Sequence, residues 1–328
     1  MILTSKQVTE LKEQLREYLG EAVCAALVDP TVMEVKVGED GILHVEQQGK
    51  GWVKIGGYLS EARRRLALNI SARLLNKTFN AQHSKLSGDE PLYGHRLQGF
   101  CPPTGNYTIH IRRHAPTNFT FADYIASGIM TPWQVATLCE HITKRSNILF
   151  AGATGSGKTA LMGAAIAFLV ESNEHGVLLE DTKEIHCEMP NFTRFLTSDD
   201  VTMEDLVKDV MRVKPSRIII GETRGREFIA VQEAFMTGHR GCMTTLHADS
   251  AEATFTRGAV LGRKAGLPPE ETWALMREAL DVIVYIEVLP NKQRIVSQIK
   301  EVKKDGVTRK GERWLSQPEP LQGEAFTQ

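Results

Sequence analysis

Hydrophobic positions along this 328-residue chain follow two different patterns. In the first third they recur at helical or alternating spacing, in short runs broken by glycine and proline. Val8, Leu11, Leu15, Tyr18 and Leu19 share one helical face, which predicts a helix over 8–19. After Asp29-Pro30, runs at 32–37, 42–45 and 52–55 read as strands separated by glycine turns such as Glu39-Asp40-Gly41. Ser60 suits the cap of a helix reaching Lys77, and strands follow near 94–100 and 107–114 around Cys101-Pro102-Pro103-Thr104-Gly105. Residues 115–130 read as a connector, and Thr131-Pro132 opens a helix running to Lys144.

From residue 147 the pattern changes to contiguous apolar runs alternating with helical segments, the signature of an α/β domain with a mainly parallel sheet. Strands are expected at 147–151, 177–180, 217–221, 242–245, 282–289 and 294–300. The polar stretch 303–328, with Pro318 and Pro320, predicts a frayed tail. The expected organisation is a small α+β N-terminal domain over 1–114, a linker over 115–131 and a second domain over 132–328.

Between the strand at 147–151 and a helix over 159–170 stands Gly152-Ala153-Thr154-Gly155-Ser156-Gly157-Lys158-Thr159, a complete G-x-x-x-x-G-K-[ST] phosphate-binding loop. Its glycines let successive N–H groups face phosphate oxygens, Lys158 neutralises the β- and γ-phosphates, and the Thr159 hydroxyl suits Mg²⁺. The helix N-terminus adds its dipole to the same anion site. These eight residues and the following Ala160 are the candidate nucleotide-binding set, with ATP and Mg²⁺ as ligands.

Ligands of parallel sheets sit beyond the carboxyl ends of strands, and three further groups fall there. Arg217-Ile218-Ile219-Ile220-Gly221-Glu222 is an apolar strand ending in a carboxylate, suited to Mg²⁺ directly or through water. Glu180, Asp181 and Glu184 end a second strand, and three acids beside a phosphate site favour a divalent cation. Glu184 is the candidate for orienting or deprotonating the attacking water. His247 ends a third strand, where it can donate to a γ-phosphate; no further His or Cys has spacing suited to a metal.

Composition narrows the function classes. Lys plus Arg number 39 against 40 acids, so no global field favours nucleic acid or an anionic membrane. Arg63, Arg64 and Arg65 read as a solvated face, with a subunit or lipid contact as the alternative. Five separated cysteines form no C-x-x-C pair, and no apolar run matches a signal peptide or a membrane span, which places the chain in the cytoplasm.

The ordered set of the phosphate loop, Glu180-Asp181-Thr182-Lys183-Glu184, Gly221-Glu222-Thr223-Arg224-Gly225, and Thr237-Gly238-His239-Arg240-Gly241 through His247-Ala248 resembles the secretion-superfamily ATPases. In those proteins the blocks are the Walker A motif, Asp box, Walker B motif and His box. The set is most similar to the ring ATPases of bacterial type IV secretion and plasmid conjugation. The chain lacks an Asp before Gly221-Glu222, so a Walker B aspartate cannot be carried over.

The resemblance implies a RecA-like P-loop NTPase domain behind the small N-terminal domain, ATP hydrolysis coupled to conformational cycling of a homohexameric ring, and nucleotide held between the two domains. Partners implied are inner-membrane secretion or conjugation proteins, met at the inner face of the cytoplasmic membrane without an integral segment. Catalytic roles fall to Glu184, Glu222, Lys158 and His247, with metal binding by Thr159 and Glu222. The strand carrying Arg112 and Arg113 resembles one whose arginines reach the phosphates; alternation puts the two on opposite faces, and Arg112 is preferred. Arg224 and Arg240 suit either a neighbouring subunit's site or local ion pairs. The alternatives are a type IV pilus or type II secretion motor, an ATP-dependent nucleic-acid motor with direct nucleic-acid binding left open, and a nucleotide-gated scaffold without turnover.

Overall fold

The computed structural model describes residues 3–47, 49–113, 119–198, 200–302 and 312–314. They form two compact units, Met1–Thr117 with Thr182–Glu184, and Asn118–Asp181 with Ile185–Gln328.

The first unit is one antiparallel sheet with two helices. Helix α1 (Ser5–Val28) starts at a capping box between Thr4 and Gln7 and buries Leu11, Leu15, Leu19, Val23 and Leu27. It extends past the expected 8–19 but is interrupted at Gly20, whose φ of 77° and ψ of 166° leave the helical region. Arg63 caps the break by donating to the carbonyls of Tyr18 at 3.1 Å and Glu17 at 2.6 Å. Strands β1 (Val32–Val37), β2 (Ile42–Gln47) and β3 (Gly51–Tyr58) precede helix α2 (Glu61–Leu74), which Ser60 caps. Strands β4 (Lys85–Asp89), β5 (Arg96–Phe100) and β6 (Thr108–Arg112) complete the order β3-β2-β1-β6-β5-β4. Leu15, Val23 and Leu27 meet Val35, Val45, Ile109 and Ile111 in its core.

Arg64 departs from the expected solvated face. It is 1% exposed, and its guanidinium donates to the carbonyls of Tyr107 (2.9 Å), Leu59 (2.6 Å), Glu39 (3.0 Å) and Asn106 (3.4 Å). The side chain therefore ties together three chain reversals, and its bond to the Leu59 carbonyl is fully buried. Arg64→Met should lower the stability of the full chain by about 3 kcal/mol, because a buried acceptor left unsatisfied costs about 1–3 kcal/mol. A thermal melt checks this, and Arg65→Met, at an exposed position, serves as the control.

The second unit opens with α3 (Phe121–Ala126), which begins at a Thr120–Asp123 capping box inside the expected linker. Helix α4 (Pro132–Thr143) starts at Thr131 as expected. There follow β7 (Ile148–Gly152), α5 (Lys158–Ala167), β8 (Gly176–Glu180), β9 (Phe192–Leu196) and α6 (Met203–Val210). Next are β10 (Arg217–Ile220), α7 (Glu227–Met236), β11 (Met243–His247), α8 (Ala253–Lys264) and α9 (Pro269–Ala279). Strands β12 (Val282–Val288), β13 (Arg294–Val302) and β14 (Glu312–Trp314) end the chain's described part. The frayed tail expected over 303–328 otherwise lies outside the described residues, as does His114.

The sheet order is β14-β13-β12-β7-β11-β10-β8-β9, parallel from β12 to β9 and antiparallel over β13 and β14. Successive residues of one strand enter opposite cores: Leu149 and Ala151 pack on one face, Ile148 and Phe150 on the other. Layers on both faces leave ligand access at the strand ends. The register places His247 beside Gly152, and Ile220 beside Leu179, so the carboxyl ends of β7, β11, β10 and β8 share one edge.

Candidate active site

The phosphate loop leaves β7 at Gly152, a position that accepts only glycine. A Cβ there would lie 2.2 Å from the Ile286 carbonyl oxygen and 2.6 Å from Ser156 Oγ. Ile286 comes close because β12 pairs with β7 in a register that sets Tyr285 opposite Ala151, one residue before Ile286 and Gly152. Gly152→Ala should displace the loop, costing about 1–3 kcal/mol as overpacking does. A thermal melt paired with titration of a fluorescent ATP analogue checks this; unchanged values in both would show that the loop tolerates the methyl group.

Helix α5 begins at Gly157, whose φ of 103° is left-handed, with no side chain capping the helix and no acid in its first turn. Its leading N–H groups are thus available to an anion. Ser156 is fully buried and its Oγ has no hydrogen-bond partner among the described residues. Thr159 is half-buried in the first helical turn. A helix N-terminus without a side-chain cap beside an unpartnered buried hydroxyl fits a polyphosphate.

Lys158 is 5% exposed, and its Nζ donates to the Ala153 carbonyl at 2.9 Å and to His247 Nδ1 at 3.1 Å. Burial pushes its pKa down to about 8; Glu222 acts against this shift and Arg224 adds to it. An ammonium only donates, so Nδ1 of His247 is the acceptor and the ring hydrogen lies on Nε2, 2.7 Å from Glu222 Oε1. The His247 pKa is lowered by burial first and then by the Lys158 charge, which keeps the imidazole neutral. Glu222 also pairs with Arg224. Lys158, His247, Glu222 and Arg224 therefore form one continuous chain of contacts beside the loop.

Local hydrogen bonds fix the segment carrying Glu222. Thr223 N donates to the Thr245 carbonyl at 3.1 Å, Thr245 Oγ1 donates to the Gly221 carbonyl at 2.8 Å, and Glu227 accepts from the Arg224 and Gly225 amides at 2.6 and 2.7 Å. Glu222 is thereby locked to β11, the strand that ends in His247.

The three acids after β8 do not form the cluster expected to need a divalent cation. Glu180 is 2% exposed, pairs with Arg194 at 2.9 Å and accepts the Ile185 amide at 2.8 Å. Asp181 accepts from Thr197 Oγ1 at 3.1 Å, and Glu184 pairs with Arg96 in the first unit. No group of three or more His, Cys, Asp or Glu suited to a metal occurs among the described residues. The expected oxygen donors, the Thr159 hydroxyl and the Glu222 carboxylate, are groups of the kind that could hold Mg²⁺.

Other expected residues have local partners. Arg112 pairs with Glu34 through Nε at 2.8 Å, and Arg113 donates to the carbonyls of Leu27 at 2.8 Å and Val32 at 2.6 Å, all within the first unit. Arg240 pairs with Asp281 at 3.4 Å. Arg96, the partner of Glu184, carries no sequence signal, since an arginine opening a short strand is commonplace.

The family model "Type II/IV secretion system protein" matches residues 96–316. A probable conjugal transfer protein TrbB of Sinorhizobium fredii is 36% identical over 288 residues, covering 87% of this chain and 88% of its own length. A conjugal transfer protein TrbB of Rhizobium radiobacter is 37% identical over 284 residues, covering 84% and 86%. Among solved structures, the pilus retraction motor PilT with bound ADP superposes with a TM-score of 0.61 at 19% identity, covering 82% of this chain and 78% of its own, a likeness of fold.

Proposed function

Because this chain belongs to the Type II/IV secretion system protein family, we propose that it is an ATPase whose turnover powers type IV secretion or conjugal transfer. The observation that carries the proposal is the contact chain Lys158–His247–Glu222 beside a loop whose buried Ser156 hydroxyl has no partner among the described residues.

The amides of the loop and of α5 hold the β- and γ-phosphates, and Lys158 turns from the Ala153 carbonyl and His247 to the phosphate oxygens. That movement frees Nδ1 of His247, which, once it takes up a proton, can donate to the third phosphate while Nε2–H stays on Glu222. Glu184 orients water and accepts its proton. Thr159 and, through water, Glu222 would hold Mg²⁺, which would supply positive charge against the charge developing on the phosphates. Arg112 or Arg113 reads the third phosphate after exchanging its present acceptor for it.

The working form proposed is a hexameric ring bearing on membrane-embedded partners. The relatives' names support a role in conjugal transfer, and no helix among the described residues is long and apolar enough to cross a membrane. Light scattering with and without ATP checks the ring, with a mass six times that of the chain as the expected result and a monomer under both conditions as the contrary one. Turnover is tested by phosphate release from ATP. Stimulation by DNA, lost as salt rises, would favour a nucleic-acid motor instead.

A further inference from the structure

One cation beside the phosphate loop has no part in the roles above. Arg294 opens β13, half-buried, and donates through Nη2 to the Gly155 carbonyl at 3.4 Å. Its Cδ lies 3.8 Å from the place a Cβ would take on Gly157. The side chain therefore runs along the loop between its second and third glycines.

Its position is held from behind. Two residues further on, Val296 N donates to the Ile129 carbonyl at 2.8 Å, and the Val296 carbonyl accepts from Gln134 Nε2 at 2.6 Å. Tyr124 of α3, buried with its phenol pKa pushed up, feels the Arg294 charge as an opposing influence. The segment α3–α4 thus braces the strand start that aims Arg294 at the loop.

The charge itself is uncompensated: Arg294 forms no ion pair among the described residues. A guanidinium carries five donors in a planar fork, and the Gly155 carbonyl takes one of them. Arginine is also the side chain best matched to phosphate oxygens.

We infer that Arg294 is a further nucleotide-binding residue, contacting the phosphates from the outer side of the loop while its strand is fixed by α3 and α4. This rests on the reading of the loop as an ATP site.

The test uses the full chain and its Arg294→Ala and Arg294→Lys forms, with titration of a fluorescent ATP analogue at several salt concentrations and a thermal melt without nucleotide. Arg294→Ala should weaken binding about tenfold, consistent with loss of a charge-assisted hydrogen bond. It should flatten the salt dependence and leave the nucleotide-free melt unchanged, and Arg294→Lys should restore part of the affinity. Equal affinity in the native and Arg294→Ala proteins overturns the inference. So does a lowered melt without nucleotide accompanied by an unaltered salt dependence, which marks a structural loop tether. If the native chain itself binds no ATP, the underlying nucleotide reading fails instead.

Discussion

Lys158→Ala should abolish ATP turnover and raise the dissociation constant for ATP by about 10²-fold or more, since truncating one partner of a buried charge pair costs about 2–5 kcal/mol. The ammonium is buried against a carbonyl and a neutral imidazole, with its pKa pushed down to about 8. In the absence of nucleotide its neighbours compensate the desolvated charge poorly, so its removal should cost the fold little. Phosphate oxygens supply the missing compensation, and the loss therefore falls on binding. Titration with a fluorescent ATP analogue beside a thermal melt separates the two effects. A substituted protein that melts normally and binds ATP as tightly as the native chain would remove Lys158 from the site.

The second large effect is expected at Glu184. Glu184→Gln preserves shape and a hydrogen bond to Arg96 but removes the carboxylate proposed to accept a proton from water. ATP binding should persist while turnover falls about 10²- to 10⁴-fold, the usual weight of a positioned general base. Single-turnover phosphate release with ATP saturating checks this. If Glu184 serves only as the ion-pair partner of Arg96, the substitution should lower the melting temperature and leave turnover at its native rate. Comparing Arg96→Ala in the same two assays resolves the roles, because a structural pair loses stability equally from either side.

Much of the second unit was legible because parallel strands buried on both faces are written as unbroken apolar runs, as in Ile218-Ile219-Ile220, and the phosphate loop has a fixed residue order. Two edge strands were not. Lys85–Asp89 and Phe192–Leu196 are partly exposed and mix polar with apolar residues, so their strand character depends on the neighbours they pair with. Helix α6 had a readable start in the Thr202–Asp205 capping box, and α3 had the same signal at Thr120 and Asp123.

At the site, His247 and Glu222 were legible from their places at strand ends, but their link to Lys158 was not. That link depends on β11 pairing with β7 in the register that sets His247 beside Gly152. Arg64 and Glu180 show the same limit from the other side. A run of three arginines and a run of acids look solvated or metal-seeking in sequence, yet remote carbonyls and Arg194 account for both burials. Arg294 depended on the β12–β13 hairpin and on the clamp that α3 and α4 place behind it.

Steady-state release of inorganic phosphate from ATP in the presence of Mg²⁺ by the purified full chain tests the central claim most directly. The account predicts release that saturates with ATP and falls to background in the Lys158→Ala protein. A native chain that binds ATP yet releases no more phosphate than Lys158→Ala would contradict it and leave a nucleotide-gated scaffold in its place.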